Sequence, residues 1–228
     1  MIRTEHDGNL TAITLDRPER RNALTWEALD DLESAVRAAE TPVLYLAGSG
    51  KAFCAGADLN VVSQLSRADA VAFARRGQQV ANALEAYDGA VVAGIDGPAR
   101  GGGVELALAC DIRLATGDAT FAETGVSLGL FGAWGGTRRL PRIVGEGEAL
   151  DIGLSGRELD ATEARRMGLV SRIVASPRAV AARIAENDAD ALRVIKKRLR
   201  DNAGQAAQER RETAAFGALI EAFESEGQ

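Results

Sequence analysis

Glu105 lies in the stretch "DGPARGGGVELALACDI" (Asp96–Ile112), among residues that otherwise suit a packed core. On a helix opened by the three glycines, Val104 and Leu108 share one face, and Glu105 sits about 100° round from Val104. Its carboxylate can then point into a cleft while its neighbours pack. A partly desolvated carboxyl has a raised pKa and suits proton transfer. The same residues also fit an acid that faces solvent or pairs with a cation.

Gly101–Gly103 add a second element of chemistry. Bare backbone at the start of a helix presents free N–H groups, and the helix dipole points the same way. A second loop of this kind, "CAGADL" (Cys54–Leu59), follows another apolar run, "VLYLAG". Two N–H groups converging from two such loops make an oxyanion hole, the device that stabilises an anion developing on a carbonyl oxygen. Read more plainly, the glycines only make tight turns.

Other readings fail on spacing. "GSGKAF" looks like a phosphate loop, but Tyr45 stands where the first glycine is needed and Ala52 where Ser or Thr is needed. Glycines at 97 and 101–103 do not give the dinucleotide spacing G-x-G-x-x-G. Cys54 has no histidine to activate it, since the single histidine is His6, in a segment expected to fray. One histidine and two cysteines, Cys54 and Cys110, are too few for a metal cluster or a disulfide framework, so no metal site is expected.

The elements that must hold these residues alternate between strand and helix. "NLTAITLD" (9–16) reads as a strand, Thr25 as the N-cap of a helix with apolar positions 26, 29, 32 and 36, and Val43–Gly48 as a buried strand. A helix over 67–87, a strand over 90–97, a short helix on "GGGVELALAC", a strand on "DIRLAT" and a further one on "ATFAE" follow. From Gly135 the pattern turns helical: 137–144, 146–154, 162–167, a basic helix within 177–200 and a last one near 205–224, with "GLVSRIVA" as a short strand between. This divides the chain into an α/β body, 1–135, and a helical region, 136–228.

Bulk composition narrows the partners. The chain has 228 residues, 46% of them hydrophobic, enough for a sizeable core. A net charge of -6 argues against nucleic acid or an anionic membrane as the main partner. The charged start lacks a signal peptide's apolar segment, and no apolar run is long enough to span a bilayer, so a cytoplasmic protein is expected. Arginine outnumbers lysine 24 to 3, which is read as genomic composition.

Five pieces, "LDRPERRNAL", "GKAFCAGADL", "DGPARGGGVELALACDIRLAT", "LGLFGAWGGTRRLPRIVG" and "A-x-x-A-x-x-M-G-L-V", resemble in order and spacing the crotonase superfamily, the enoyl-CoA hydratase/isomerase family. The resemblance implies a crotonase-like α/β fold, a ββα spiral core with a helical C-terminal trimerisation region. It implies homotrimers or hexamers and an acyl-CoA substrate, with no cofactor beyond the coenzyme A of that substrate. By position, the oxyanion N–H donors fall on Ala57 and Gly102. The coenzyme A contacts fall on Arg21, Ala23, Ala55, Asp58, Leu59 and Asn60, the last standing where hydratases often carry Lys.

Hydratases of this family use two glutamates. The first matches Glu105; the second falls on Gly125, four residues after Phe121. Glu123 is the substitute candidate, on the expectation that 123 and 125 lie on one face of a strand. The implied activity is hydration of a 2-enoyl-CoA. Isomerisation, hydrolysis or decarboxylation of an acyl-CoA, or non-catalytic acyl-CoA binding, are the alternatives. Residues near Leu65, Phe131 and Trp134 are expected to face the acyl pocket. The sequence ends at "FESEGQ", where relatives usually run on in helix, so the pocket is expected to be more open or differently closed.

Overall fold

The computed structural model describes residues 1–226; of "FESEGQ", Gly227 and Gln228 lie outside the described residues. The chain begins with an antiparallel hairpin, β1 (Ile2–Asp7) and β2 (Leu10–Leu15), then α1 (Trp26–Ala38) and β3 (Val43–Gly48). Next come α2 (Leu59–Val62), α3 (Arg67–Ala86), β4 (Ala90–Ile95), β5 (Ala99–Arg100), α4 (Gly102–Ala109), β6 (Ile112–Ala115) and β7 (Thr120–Ala122). The remainder is α5 (Gly136–Val144), α6 (Glu146–Ser155), β8 (Leu159–Asp160), α7 (Ala161–Arg166), β9 (Arg172–Ile173), α8 (Pro177–Ala185), α9 (Ala189–Leu199) and α10 (Gln205–Glu226).

Two sheets carry the fold. One has the order β1-β2-β3-β4-β6-β9, parallel from β2 onward; the other is β5-β7-β8. The chain visits the large sheet, then the small one, then a helix, as in β4–β5–α4. Isolated parallel bridges Cys54–Ala99 and Leu24–Ala57 extend the small sheet toward the two glycine-bearing loops.

Alternation along the strands explains their apolar runs. Leu44 and Leu46 of β3 pack with α1 and α3 in one cluster, together with Ile13, Leu15, Val91 and Ala93. Val43 and Tyr45 point the other way, into a second cluster with Leu10, Val92, Ala181 and Ala185 of α8. Both faces of the sheet are covered, so both sets of positions must be apolar. Each Leu so buried stabilises the fold by about 1.5–3 kcal/mol.

Local signals fix the helix starts. Thr25 accepts from the Ala28 N–H, Ser66 from Asp69, Asp160 from Glu163 and Asp188 from Ala191, each an N-cap.

The structure corrects three expectations. His6 is not in a fraying end: it lies in β1, with Nδ1 hydrogen-bonded to Thr11 Oγ1 at 3.0 Å. β1 went unread because it is an edge strand with charged side chains facing water. The basic segment 177–200 is two helices, α8 and α9, divided where Asp188 caps the second. Residues 123–125 are not strand: β7 ends at Ala122, and Thr124–Leu128 forms a 3₁₀ turn closed by Gly129 at φ 70°.

Candidate active site

The start of α4 is built by three glycines with three different reasons. Gly101 has φ 45° and ψ −116°, closed to other residues, and its N–H donates to Ala122 O. A Cβ on Gly102 would lie 2.3 Å from the Trp134 ring, and one on Gly103 would lie 2.2 Å from Cys54 O. The helix that follows is buried on every side from Gly103 to Ala109.

The second loop meets the first through backbone bonds. Arg100 N–H donates to Cys54 O at 2.9 Å, Leu24 N–H to Gly56 O at 2.8 Å, and Asp58 N–H to Leu24 O at 2.9 Å. These bonds leave the Ala57 N–H on the opposite side of its bridge. Neither the Ala57 N–H nor the Gly102 N–H has a hydrogen-bond partner among the described residues. Both residues line a cavity of about 260 Å³, together with Ala55, Leu59, Leu65, Glu105, Phe131 and Trp134.

Glu105 is 1% exposed, so neither the solvent-facing nor the surface ion-pair reading holds. Its Oε1 accepts from the N–H groups of Trp134 at 2.8 Å and Gly136 at 2.7 Å. Burial pushes its carboxyl above the usual carboxylate range; those two donors and the nearby Arg139 charge pull the other way without overcoming it. Glycines at 132 and 136 make room: a Cβ at either would lie 2.8 Å from the carboxyl group.

The loop that orients Glu105 is itself clamped. Buried Arg139 donates from Nη1 to Trp134 O at 3.1 Å and from Nη2 to Asn82 Oδ1 and Glu85 Oε2, both at 2.7 Å. The Trp134 ring meets Phe73 edge-on at 5.9 Å, and Phe73 meets Trp26 in the same manner at 4.8 Å. "GAWGGTRR" was legible as a motif, but the two N–H groups it aims at Glu105 depend on a loop path that side-chain types do not encode.

A second carboxyl lies close by. Glu123 follows β7 directly, and its Oε2 is shut off from solvent without a hydrogen-bond partner among the described residues. Burial, joined by the charge of Glu105, pushes it up to about 8. It lines a separate cavity of about 560 Å³, whose wall includes Phe131 and Gly132, as does that of the smaller cavity. Gly125 lines the smaller one.

The family model described as "Enoyl-CoA hydratase/isomerase" matches residues 5–226 of this chain. The chain belongs to the enoyl-CoA hydratase/isomerase family. Among family members, a Mycobacterium tuberculosis protein named "Probable enoyl-CoA hydratase" is 37% identical over 209 residues, covering 86% of this chain and 79% of that protein. The "Crotonyl-CoA hydratase" of Syntrophomonas wolfei is 39% identical over 175 residues, covering 75% of this chain and 67% of its own. The crystal structure of an enoyl-CoA hydratase from Bacillus anthracis superposes with a TM-score of 0.91 at 31% identity, covering 96% of this chain and 91% of that one.

The positions that the resemblance assigns to coenzyme A contact fall in four different surroundings. Ala55 and Leu59 line the small cavity with Ala57. Asp58 caps α2, accepting from Asn60 N–H, and accepts from Arg17 Nη1 at 2.6 Å. Burial opposes its charge, but those donors outweigh burial and hold it below the usual range. Arg21 is exposed at φ 51°, its carbonyl accepting from Ala55 N–H, and the Ala23 carbonyl accepts from Arg17. Asn60 is exposed.

Asn22, unassigned by sequence reasoning, ties this region together. Buried, it donates to the carbonyls of Ser49, Ala52 and Phe53 and accepts from Arg17 N–H. Cys54 is buried, donates from Sγ to Asn22 O, and burial pushes its thiol up to about 12, which removes it as a nucleophile. Among the described residues no group of His, Cys, Asp or Glu is placed to hold a metal, and no helix is long and apolar enough to cross a membrane.

Proposed function

We propose that the protein adds water across the double bond of a 2-enoyl-CoA. One observation carries the reading: Ala57 and Gly102, whose backbone N–H groups have no partner among the described residues, line the same cavity as the buried Glu105. Two such donors bind the thioester oxygen and stabilise it as the carbonyl becomes an enolate. Each donor of this kind contributes about 2.7–4 kcal/mol to a transition state. The free Oε2 of Glu105 takes a proton from the water that attacks the β-carbon.

The coenzyme A portion lies along Arg21, Ala23, Ala55, Asp58, Leu59 and Asn60, and no further cofactor takes part. The working assembly is a trimer or a pair of trimers, in the cytoplasm. Exposed apolar residues on α6, α9 and α10, such as Leu154, Leu199 and Phe216, support an assembly.

The test is loss of the conjugated enoyl-thioester absorbance of crotonyl-CoA, beside a Glu105→Gln variant. Wild type is expected to consume it and the variant to lose about 10²–10⁴-fold in kcat. An inert wild type removes the hydratase reading. A second reading, isomerisation, is favoured by Glu105 being the one carboxyl among the described residues that lines the small cavity; a 3-enoyl-CoA that gains the conjugated absorbance selects it.

A further inference from the structure

A cavity of about 620 Å³ opens where α4 ends, beside α5 and the end of α9. It shares no lining residue with the cavity that holds Ala57, Gly102 and Glu105. Five arginines line it, Arg113, Arg138, Arg139, Arg142 and Arg200, against two carboxylates, Glu85 and Asp111. This is a concentration of positive charge on a chain whose net charge is -6.

Both carboxylates are already taken. Glu85 pairs with Arg138, with Arg139 Nη2 at 2.7 Å and with Arg200 Nη1 at 3.2 Å. Asp111 pairs with Lys196 Nζ at 2.9 Å and with Arg200 Nη2 at 2.6 Å.

Two guanidinium groups are left over. Arg113 is only 8% exposed. Its Nε donates to Leu169 O at 2.7 Å and its Nη1 to Cys110 O at 2.8 Å, while Nη2 has no hydrogen-bond partner among the described residues. It forms no ion pair there either. Burial draws it below the usual arginine range, and the charge of Asp111 opposes this without overcoming it. Arg142, on the exposed side of α5, has neither hydrogen bond nor ion pair among the described residues. A buried cation without a carboxylate is rare, because the water it has given up needs a replacement.

We infer that this cavity binds a small anion of the diphosphate class, held by Arg113 and Arg142, at a site separate from the hydration site. Guanidinium forks match the oxygens of a phosphate group two at a time. Positive charge in excess of the two carboxylates favours a multiply charged anion over a single carboxylate. No aromatic ring lines the cavity, and its apolar wall is Leu108, Ile143 and Leu199. A base has no ring to stack on there, so the ligand is recognised by its phosphates. The inference does not depend on the hydratase reading.

Isothermal titration calorimetry of the full chain with inorganic pyrophosphate tests it. Wild type is expected to bind one pyrophosphate per chain, more weakly as salt is raised. Arg142→Gln should weaken binding by about 10-fold or more, and Arg142→Lys should recover part of it. Circular dichroism checks that both variants fold. Arg75→Gln removes an exposed arginine that does not line the cavity and should leave binding unchanged. Saturating crotonyl-CoA should not displace the pyrophosphate.

A wild type that takes up no pyrophosphate overturns the inference. Equal weakening in Arg75→Gln and Arg142→Gln shows a general charge effect and overturns it too. Displacement by crotonyl-CoA assigns the phosphate contacts to the substrate's coenzyme A and removes the separate site. Light scattering covers the remaining occupant. An Arg142→Gln protein that falls apart, beside a wild type that ignores pyrophosphate, shows that carboxylates of a second copy fill the cavity.

Discussion

The Trp134 ring occupies the place where a side chain on Gly102 would have to be, 2.3 Å from a Cβ built there. The other side of the ring presses on Gly77, where a Cβ would lie 2.1 Å away. The indole is therefore wedged between α3 and α4, against the backbone that opens α4.

Gly102→Ala should displace either the indole or the helix start. The φ of Gly102 is not in the left-handed region, so strain comes from the collision alone. Overpacking of this kind costs about 1–3 kcal/mol. We expect a lower melting temperature and a fall in kcat of about 10²-fold or more, as when an oxyanion donor is lost. Steady-state hydration and a thermal melt read both.

Gly132→Ala should strike the Glu105 carboxyl, whose carbon lies 2.8 Å from the built Cβ. The carboxyl must turn away from the Trp134 and Gly136 N–H groups. The expected outcome is a drop in kcat approaching that of Glu105→Gln, with coenzyme A affinity, measured by calorimetry, within a few-fold of wild type.

Glu123→Gln should change how stability depends on pH. The carboxyl sits near 8 when folded, against an ordinary value of 4.5. Between those values the folded chain holds a proton that the unfolded chain lacks, so wild-type stability falls as pH rises and levels off above 8. The amide does not titrate. The variant should melt above wild type at pH 8, with the gap closing as pH is lowered to 4.5.

Asp58→Asn has the opposite sign. The wild-type carboxyl is held below its usual range, so its contribution is complete above about pH 4 and is lost as pH falls through the folded value. At neutral pH the variant should be about 1–3 kcal/mol less stable by urea unfolding, and the difference should shrink in acid. Loosening the Ala57–Asn60 segment should raise KM for crotonyl-CoA more than it lowers kcat.

Most of the architecture can be read from periodicity and caps. Val43–Gly48 was legible to the residue because a strand covered on both faces leaves no room for polar positions. Thr25 was legible because its hydroxyl has a definite partner three residues on. Glu105 stood out as a charge among core residues. What remained hidden depends on approach between distant segments. The donors to Glu105 are backbone groups 29 and 31 residues away. The turn at 124–128, which separates Glu123 from Gly125, is a local path that strand-like residue types disguise.

Coverage of the large sheet by α8 bears on synthesis at the ribosome. The strands that form its centre are all translated by Ala115, yet Val43, Tyr45 and Val92 wait for Ala181 and Ala185 to cover them. For some sixty residues of elongation the nascent sheet has one bare apolar face. Protection by chaperones is needed most in that interval, and a stalled ribosome between Ala115 and Pro177 should yield an aggregation-prone chain.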